Sequence, residues 1–168
     1  VGESESDGFN ALVMGADLDW RDVSVLRSIG RYLRQVGFTY SQSYFAQALS
    51  SNVDITRQLI QLFQTRFDPR TGLDVKARAA ATNELVDKIK KALNDVASLD
   101  HDRILRSFLA VIQAVIRTSF YIPGREAIAL KLLPRQIPEL PEPRPEFEVF
   151  IYSPRVEGVH LRYGRVAR

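Results

Sequence analysis

The stretch PRQIPELPEPRP, residues 134–145, divides the sequence into a helical part and a strand-forming part. It contains five prolines in twelve residues. Proline fixes the backbone φ angle and lacks an N–H donor, so this stretch excludes a regular helix or a central strand. We expect an extended, polyproline-like connector. A ligand for a polyproline-binding domain is the alternative, but the absence of a clean repeat favours a rigid spacer.

Helical periodicity dominates the sequence before this connector. Apolar residues recur every three to four positions, as Leu26, Ile29 and Leu33 do in the first helix. Asp19 is a suitable N-cap for that helix, and Gly37 is placed to end it. The predicted helices cover residues 19–35, 41–49, 52–67, 75–96 and 100–119.

Sequence signals also predict the two ends of the third helix and the place of the fifth helix in the bundle. Asn52 is expected to cap the third helix, and Asp68-Pro69 to end it, because a residue before proline is disfavoured in the helical region. The fifth helix has the widest apolar stripe, so we place it at the centre of a bundle.

Alternation replaces helical periodicity on both sides of the connector. Strands are predicted at residues 127–133, 147–152 and 159–163, with Ser153-Pro154-Arg155 as a turn. About three short strands are marginal alone, so their apolar faces need the bundle or more polypeptide. We therefore predict an α+β fold, predominantly α, with about five helices, the Pro-rich connector and a small antiparallel sheet.

Three regions are expected along the chain. Residues 1–18 form an acidic, partly disordered lead-in, in which Phe9, Leu12 and Val13 make one helical turn. Residues 19–122 form the helical bundle. Residues 123–168 hold the strands and the connector.

Composition excludes several classes of protein. No apolar run approaches the roughly 20 residues of a membrane helix, and no secretory signal is visible. Cysteine is absent, which excludes disulfides, thiolate zinc sites and cysteine nucleophiles. We expect a cytoplasmic protein. The chain begins at Val1 rather than Met and stops after a strand-like run, so we also expect a piece of a longer polypeptide.

Two histidine-containing positions are candidates for chemistry. Asp100-His101-Asp102 has metal-binding or acid–base residue types, but adjacent helix residues point in different directions. Their position in a first turn favours a role at the helix N-terminus. His160 could act as a base. Arg162, two residues further along, lies on the same face of the predicted strand, which favours a solvated position for His160.

Other motifs give weak or no support for a site. The sequence contains no Gly-x-Ser-x-Gly elbow, Gly-x-Gly-x-x-Gly turn or Walker loop. The aromatic group Phe38, Tyr40, Tyr44 and Phe45 could cage a ligand, but its spacing favours packing between the first two helices.

Nucleic-acid binding is a second hypothesis. Arg27, Arg31 and Arg34 lie on the polar side of the first helix, and residues 40–52 could be drawn as a helix-turn-helix. The formal charge of +3 is small for a polyphosphate-binding protein, so a solvated helical face is the preferred interpretation. A free-standing helical interaction module nevertheless remains the alternative to an enzyme segment.

Three runs resemble the large bacterial NAD-specific glutamate dehydrogenases. They are LDWRDVSVLRSIGRYLRQ at 18–35, SLDHDRILRSF at 98–108 continuing to Thr118, and IPELPEPRPEFEVFIYSPRVEGVHLRYGRVAR at 137–168. The third is the most specific. The resemblance implies a helical segment leading into the catalytic domain, whose first strands lie in residues 123–168.

The resemblance also implies the reaction of the intact enzyme. A hydride leaves the α-carbon of L-glutamate for NAD, an imine forms, and water releases 2-oxoglutarate and ammonia. The substrate-binding glycine-rich motif, the catalytic lysine and aspartate, and the NAD-binding unit of the family have no counterpart in this sequence. We therefore expect no catalytic, cofactor-binding or metal-binding residue here, and an inactive isolated chain.

The partners implied are the rest of the dehydrogenase chain and further copies of the intact enzyme in a homo-oligomer. Neither a membrane nor a nucleic acid is expected as a partner. Arg162, Arg165 and Arg168 could attract a dicarboxylate by long-range charge, but solvent-facing positions at the strand end are preferred.

Overall fold

Six helices precede a four-stranded antiparallel sheet in the computed structural model, which describes residues 7–164. The helices are α1 (Ala11–Gly15), α2 (Trp20–Gln35), α3 (Gln42–Ser51), α4 (Val53–Phe67), α5 (Val75–Leu93) and α6 (Leu99–Ala114). The strands are β1 (Val115–Thr118), β2 (Ile128–Leu132), β3 (Phe147–Tyr152) and β4 (Glu157–Arg162). The predicted α+β class, predominantly α, is confirmed.

The termini of α2 follow the predicted signals. The Asp19 carboxylate accepts a hydrogen bond from the Arg21 N–H at 2.7 Å. At the other end, Gly37 has φ +98°, and the N–H groups of Gly37 and Phe38 bond to the carbonyls of Arg34 and Leu33. This pair of bonds is a Schellman motif, which requires a left-handed residue where glycine stands.

Asn52 does not cap α4 as predicted. Its side-chain amide instead donates to the Ala48 carbonyl at 2.8 Å and so bonds the end of α3. Asn52 is the single residue between α3 and α4, and its side-chain amide hydrogen-bonds to α3 rather than to α4. The predicted end of α4 before Asp68-Pro69 is confirmed.

The predicted fifth helix was too long. It ends at Ala114, and residues 115–118 form β1, so the sheet has four strands rather than three. Arg66 of α4 donates to the carbonyls of Ile112, in the last turn of α6, and of Val115, the first residue of β1. Pairing with β2, through Val115 opposite Leu132, then favours extended backbone for these β-branched residues.

The strands pair in sequence order, β1-β2-β3-β4. β1 lies in the predicted bundle and β2 beyond it, so the sheet spans the predicted division at residue 122. The division of the chain into three regions remains a prediction. The helical turn expected near Phe9 is present as a short 3-10 turn and α1, and Phe9 and Leu12 are buried. The rest of the predicted disorder, at residues 1–6, lies outside the described residues.

A single core joins the helices to the inner face of the sheet. The rings of Tyr32 on α2 and Phe150 on β3 pack edge to face with centroids 5.5 Å apart. Phe45 on α3 and Phe108 on α6 do the same at 5.8 Å. Half of the residues of α6 are buried, and α6 packs against α2, α3, α4 and α5, in agreement with its predicted central place.

The connector is folded back rather than fully extended as predicted. Pro134–Gln136 forms a 3-10 turn. The Arg144 guanidinium donates to the carbonyls of Ile137, Pro138 and Leu140 at 2.9–3.0 Å. One side chain thus supplies the hydrogen bonds that a proline-rich backbone cannot make for itself.

Candidate functional site

A groove of about 950 Å³ lies between α2, the segment linking β1 to β2, and the β3–β4 turn. Trp20 opens α2 and is 68% exposed at its rim. The Arg21 guanidinium donates to the Phe120 carbonyl at 3.0 Å and lies 5.2 Å from the centroid of that ring. These contacts fix one wall of the groove, and Arg125 and Glu126 line the opposite part.

The described lining of the groove holds four arginines and one carboxylate, Glu126. Arginine side chains stay protonated in proteins and cannot serve as general bases. No histidine or lysine is among the described residues that line it. Apolar and cationic walls together suit a ligand or segment with apolar and anionic parts.

A buried acidic group lies at the contact between helices and sheet. Glu148 on β3 is 4% exposed and accepts a hydrogen bond from the Tyr32 hydroxyl on α2. Burial raises the pKa of the Glu148 carboxyl, and the bond from Tyr32 partly opposes this. Burial, followed by the bond to Glu148, raises the pKa of Tyr32.

Sequence reasoning missed this pair, although a signal was present. Strand alternation places Glu148 on the same face as Phe150 and Tyr152, both of which are buried. A carboxylate on the buried face of a strand needs a partner across the interface. The hydroxyl of a tyrosine inside the apolar stripe of α2 is such a partner.

Asp100, His101 and Asp102 do not form a joint site. Asp100 accepts a hydrogen bond from Tyr40 at 2.7 Å, whereas Asp102 pairs with Arg106 at 2.8 Å. The His101 ring packs against Tyr44 with centroids 5.6 Å apart. Tyr44 contacts both Asp100 and His101, through its hydroxyl and its ring, whereas Asp102 is paired separately. The cap of α6 is Ser98, whose hydroxyl accepts from the His101 N–H at 3.3 Å.

The aromatic group packs within the bundle. Phe45 is fully buried, and the rings of Phe38, Tyr40 and Tyr44 pack on one another or on Phe45 with centroids 5.6–6.4 Å apart. This arrangement agrees with the packing role preferred for the group over a ligand cage.

The arginines of α2 are not a uniform solvated face. Arg27 is 6% exposed and its guanidinium bonds to Asp7 at 2.9 and 3.0 Å and to Asn10 at 2.7 Å. Placing Arg27 on the solvated face was therefore wrong. It anchors the segment before α1 to α2. Arg31 is half-buried and lies 3.8 Å from Glu157, and only Arg34 is exposed as predicted.

The strand-end candidates lie at the edge of the sheet. His160 is exposed on β4, opposite Val149, and Arg162 is half-buried opposite Phe147. Arg165 and Arg168 lie outside the described residues. Within residues 7–164 no three His, Asp or Glu side chains form a group that could hold a metal ion. No helix in that range is both long and apolar enough to cross a membrane.

Two family models match the chain. One describes helical motif 3 of glutamate dehydrogenase and matches residues 4–69. The other describes the catalytic domain of bacterial NAD-glutamate dehydrogenase and matches residues 88–168. The chain belongs to the bacterial NAD-specific glutamate dehydrogenase family. The catalytic-domain match includes α6 and the whole described sheet, and it begins inside the predicted helical bundle.

Curated relatives agree with the family. The NAD-specific glutamate dehydrogenase of Pseudomonas aeruginosa is 45% identical over 172 residues, covering 99% of this chain. The NAD-specific glutamate dehydrogenases of Halomonas elongata and Mycobacterium tuberculosis are 44% and 45% identical, over 100% and 99% of the chain. The chain spans only 10–11% of the length of these relatives.

Proposed function

We propose that this chain is a supporting, non-catalytic segment of an NAD-dependent glutamate dehydrogenase. The intact enzyme would convert L-glutamate and NAD to 2-oxoglutarate, ammonia and NADH. The observation that carries the proposal is about 45% identity along the whole chain to NAD-specific glutamate dehydrogenases of which it covers about a tenth. The role of this segment is to form the helical support and first strands of the catalytic domain.

The dispersal of reactive groups supports an inactive role for the isolated segment. General acid–base catalysis needs side chains that converge on one reacting atom. Here His101 and Asp102 have separate partners, and Glu148 is enclosed beneath the sheet. The groove beside Trp20 offers binding surface, and Glu126 is the one carboxylate among its described lining residues.

NAD itself does not fit the described residues. A dinucleotide fold needs a parallel strand followed by a glycine-rich turn and a helix, whose N-terminus receives the pyrophosphate. The described sheet is wholly antiparallel, and none of its strands leads into an α-helix in residues 7–164. We therefore assign no step of NAD chemistry to this chain and place the cofactor elsewhere in the intact enzyme. A cytoplasmic, homo-oligomeric enzyme is part of the same proposal.

A turnover assay tests the inactive role. The 168-residue chain, shown to be folded by circular dichroism, is incubated with L-glutamate and NAD, and NADH formation is followed by absorbance. The P. aeruginosa relative serves as the positive control. We expect no NADH above the rate without protein. Turnover by the isolated chain would show that the active-site groups lie within it.

The cofactor assignment is tested separately by binding. Trp20 is the only tryptophan of the chain and is exposed at the groove, so its fluorescence reports on ligands nearby. We expect addition of NADH to produce no saturable quenching beyond that of free tryptophan at the same absorbance. Saturable quenching, lost on competition with NAD, would contradict this assignment.

A further inference from the structure

One face of the sheet is left uncovered by the described residues. The inner face, with Phe150 and Glu148, packs on α2. Strand alternation directs the intervening residues to the other side, here called the outer face. The connector does not cover it, because Glu139 bonds to Arg103 and Ser107 on α6, and Ile137 and Leu140 are buried.

The centre of the outer face is apolar. Antiparallel register places Ala129 opposite Ile151, and Val149 lies between Lys131 and His160 on the neighbouring strands. Phe147 belongs to the same row on β3. Ile151 lies on this face and is 43% exposed. A solvated strand would ordinarily alternate towards polar residues at such positions.

Basic groups surround this apolar centre. Arg117 pairs with Lys131 across β1 and β2, and His160 and Arg162 stand at outward positions of β4. The Lys131 ammonium lies 4.4 Å from the centroid of the Phe147 ring. Among the outward positions of the four described strands there is no Asp or Glu. The outer face is therefore apolar at the middle and positive at its margins.

We propose that the outer face binds an acidic segment with an apolar side, supplied by the remaining polypeptide of the intact dehydrogenase. The inference rests on the proposed function, since it requires that polypeptide. The relatives are about ten times as long as this chain, so such a segment is available in the same molecule. Burial of the apolar centre supplies the driving force, and the basic margin selects carboxylates.

A second copy of the same face is a poorer occupant. Isologous pairing would bring the surface of one copy against the identical surface of the other. Arg117, Lys131 and Arg162 of each copy would then meet like charges, at a cost that specific interfaces avoid. Charge complementarity thus favours a segment of different composition.

Site-specific photo-cross-linking in the full-length enzyme tests the location. Benzoylphenylalanine replaces Val149 on the outer face, or Lys90 on the exposed side of α5 as a control. We expect the product from position 149 to join an Asp- and Glu-rich peptide of the same polypeptide, from outside residues 1–168. Cross-links only to a second copy, or no more product than from position 90, would overturn the proposal.

Charge reversal tests the chemistry. Lys131→Glu combined with Arg162→Glu should reduce the cross-link from position 149 by roughly tenfold, since each reversal replaces an attraction by a repulsion at a partly covered site. The control, Lys76→Glu with Lys90→Glu, makes the same change in charge on α5. Lys76 lies at the N-terminal end of α5 and Lys90 at its C-terminal end, so the two substitutions have opposite effects on the interaction with the helix dipole. We expect this control to keep the cross-link.

The result separates this inference from the proposed function. An undiminished cross-link in the Lys131→Glu/Arg162→Glu enzyme would refute the charge-based recognition, whatever the isolated chain does with glutamate. Circular dichroism melting of both double variants identifies loss of folding. If the outer-face variant is unfolded, Lys131→Gln with Arg162→Gln replaces it, and a cross-link equal to that of the parent enzyme again refutes the proposal.

Discussion

The Tyr32 hydroxyl donates a hydrogen bond to the Glu148 carboxylate across the contact between α2 and β3, and both residues are buried. The two positions are far apart in sequence, yet the bond joins the helical part of the chain to its sheet. A charged or polar group at such a contact is stable only while its partner remains. This pair therefore offers a direct test of how the two parts depend on each other.

Tyr32→Phe should destabilise the chain by about 1–3 kcal/mol at neutral pH, because it leaves the buried Glu148 carboxylate without its hydroxyl donor. The ring and its packing on Phe150 are retained. Urea unfolding followed by circular dichroism measures the loss. Tyr40→Phe is the matched control, since its hydroxyl bonds to the exposed Asp100. An equal effect of both substitutions would contradict the special role of the buried pair.

Glu148→Gln should change how stability depends on pH. Burial raises the folded-state pKa of this carboxyl, so between its unfolded and folded pKa values the folded state binds the extra proton. Stability of the parent chain then falls as pH rises through that window, and it is regained as pH falls. As the pH falls, the unfolding free energy of the parent should therefore rise relative to that of Glu148→Gln. A difference independent of pH would refute the assignment.

Arg66→Met should weaken the junction between α6 and β1. The substitution removes the guanidinium that bonds to the carbonyls of Ile112 and Val115, and unsatisfied groups of this kind cost about 1–3 kcal/mol. Arg66→Lys should recover only part of the loss, because a single ammonium lacks the fork that reaches both oxygens. Chemical denaturation of the two variants distinguishes them. Equal stability of Arg66→Met and parent would show that these bonds contribute nothing.

Gly37→Ala should destabilise the chain by about 1 kcal/mol, since the left-handed backbone disfavours a Cβ atom. The conformation at this position has φ +98°. Gly15→Ala is the control, because it lies in α1 with open space around a new Cβ. There we expect no loss of thermal stability, or a small gain from higher helix propensity. The prediction fails if the two substitutions shift the melting temperature alike.

Arg144→Ala should loosen the connector more than the rest of the fold. Three carbonyls lose their donor at once, so amide hydrogen exchange in residues 134–146 should accelerate ahead of exchange in α6. Arg135→Ala, an exposed change in the same connector, should leave exchange unaltered. Uniform acceleration throughout the chain would instead indicate a general loss of stability.

Local sequence signals predicted most of the fold where one short motif determines the backbone. Asp19 and Gly37 bound α2 as predicted, and proline after Asp68 ends α4. Strand alternation located β2 and β3. These features depend on neighbours within a few residues, which a single sequence displays directly.

The errors arise where a distant partner decides the outcome. The apolar pattern of residues 115–118 suits a helix as well as a strand, and β2 together with Arg66 selects the strand. Arg27 has the polarity of a surface residue, but Asp7 and Asn10 enclose it. In the candidate site, Trp20 and Phe120 line the same groove only after folding. Arg144 is a different case, because the carbonyls that it binds lie only four to seven residues away, but such side-chain bonds leave no periodic pattern in the sequence.

The order of the four strands has a consequence for synthesis on the ribosome. Each of β2, β3 and β4 pairs with the strand made immediately before it. The helices that shelter the inner face emerge earlier still, since α2 precedes every strand. From β2 to β4, therefore, each new strand can pair with a strand already synthesised and pack on helices already synthesised, whereas β1 pairs only once β2 has followed it.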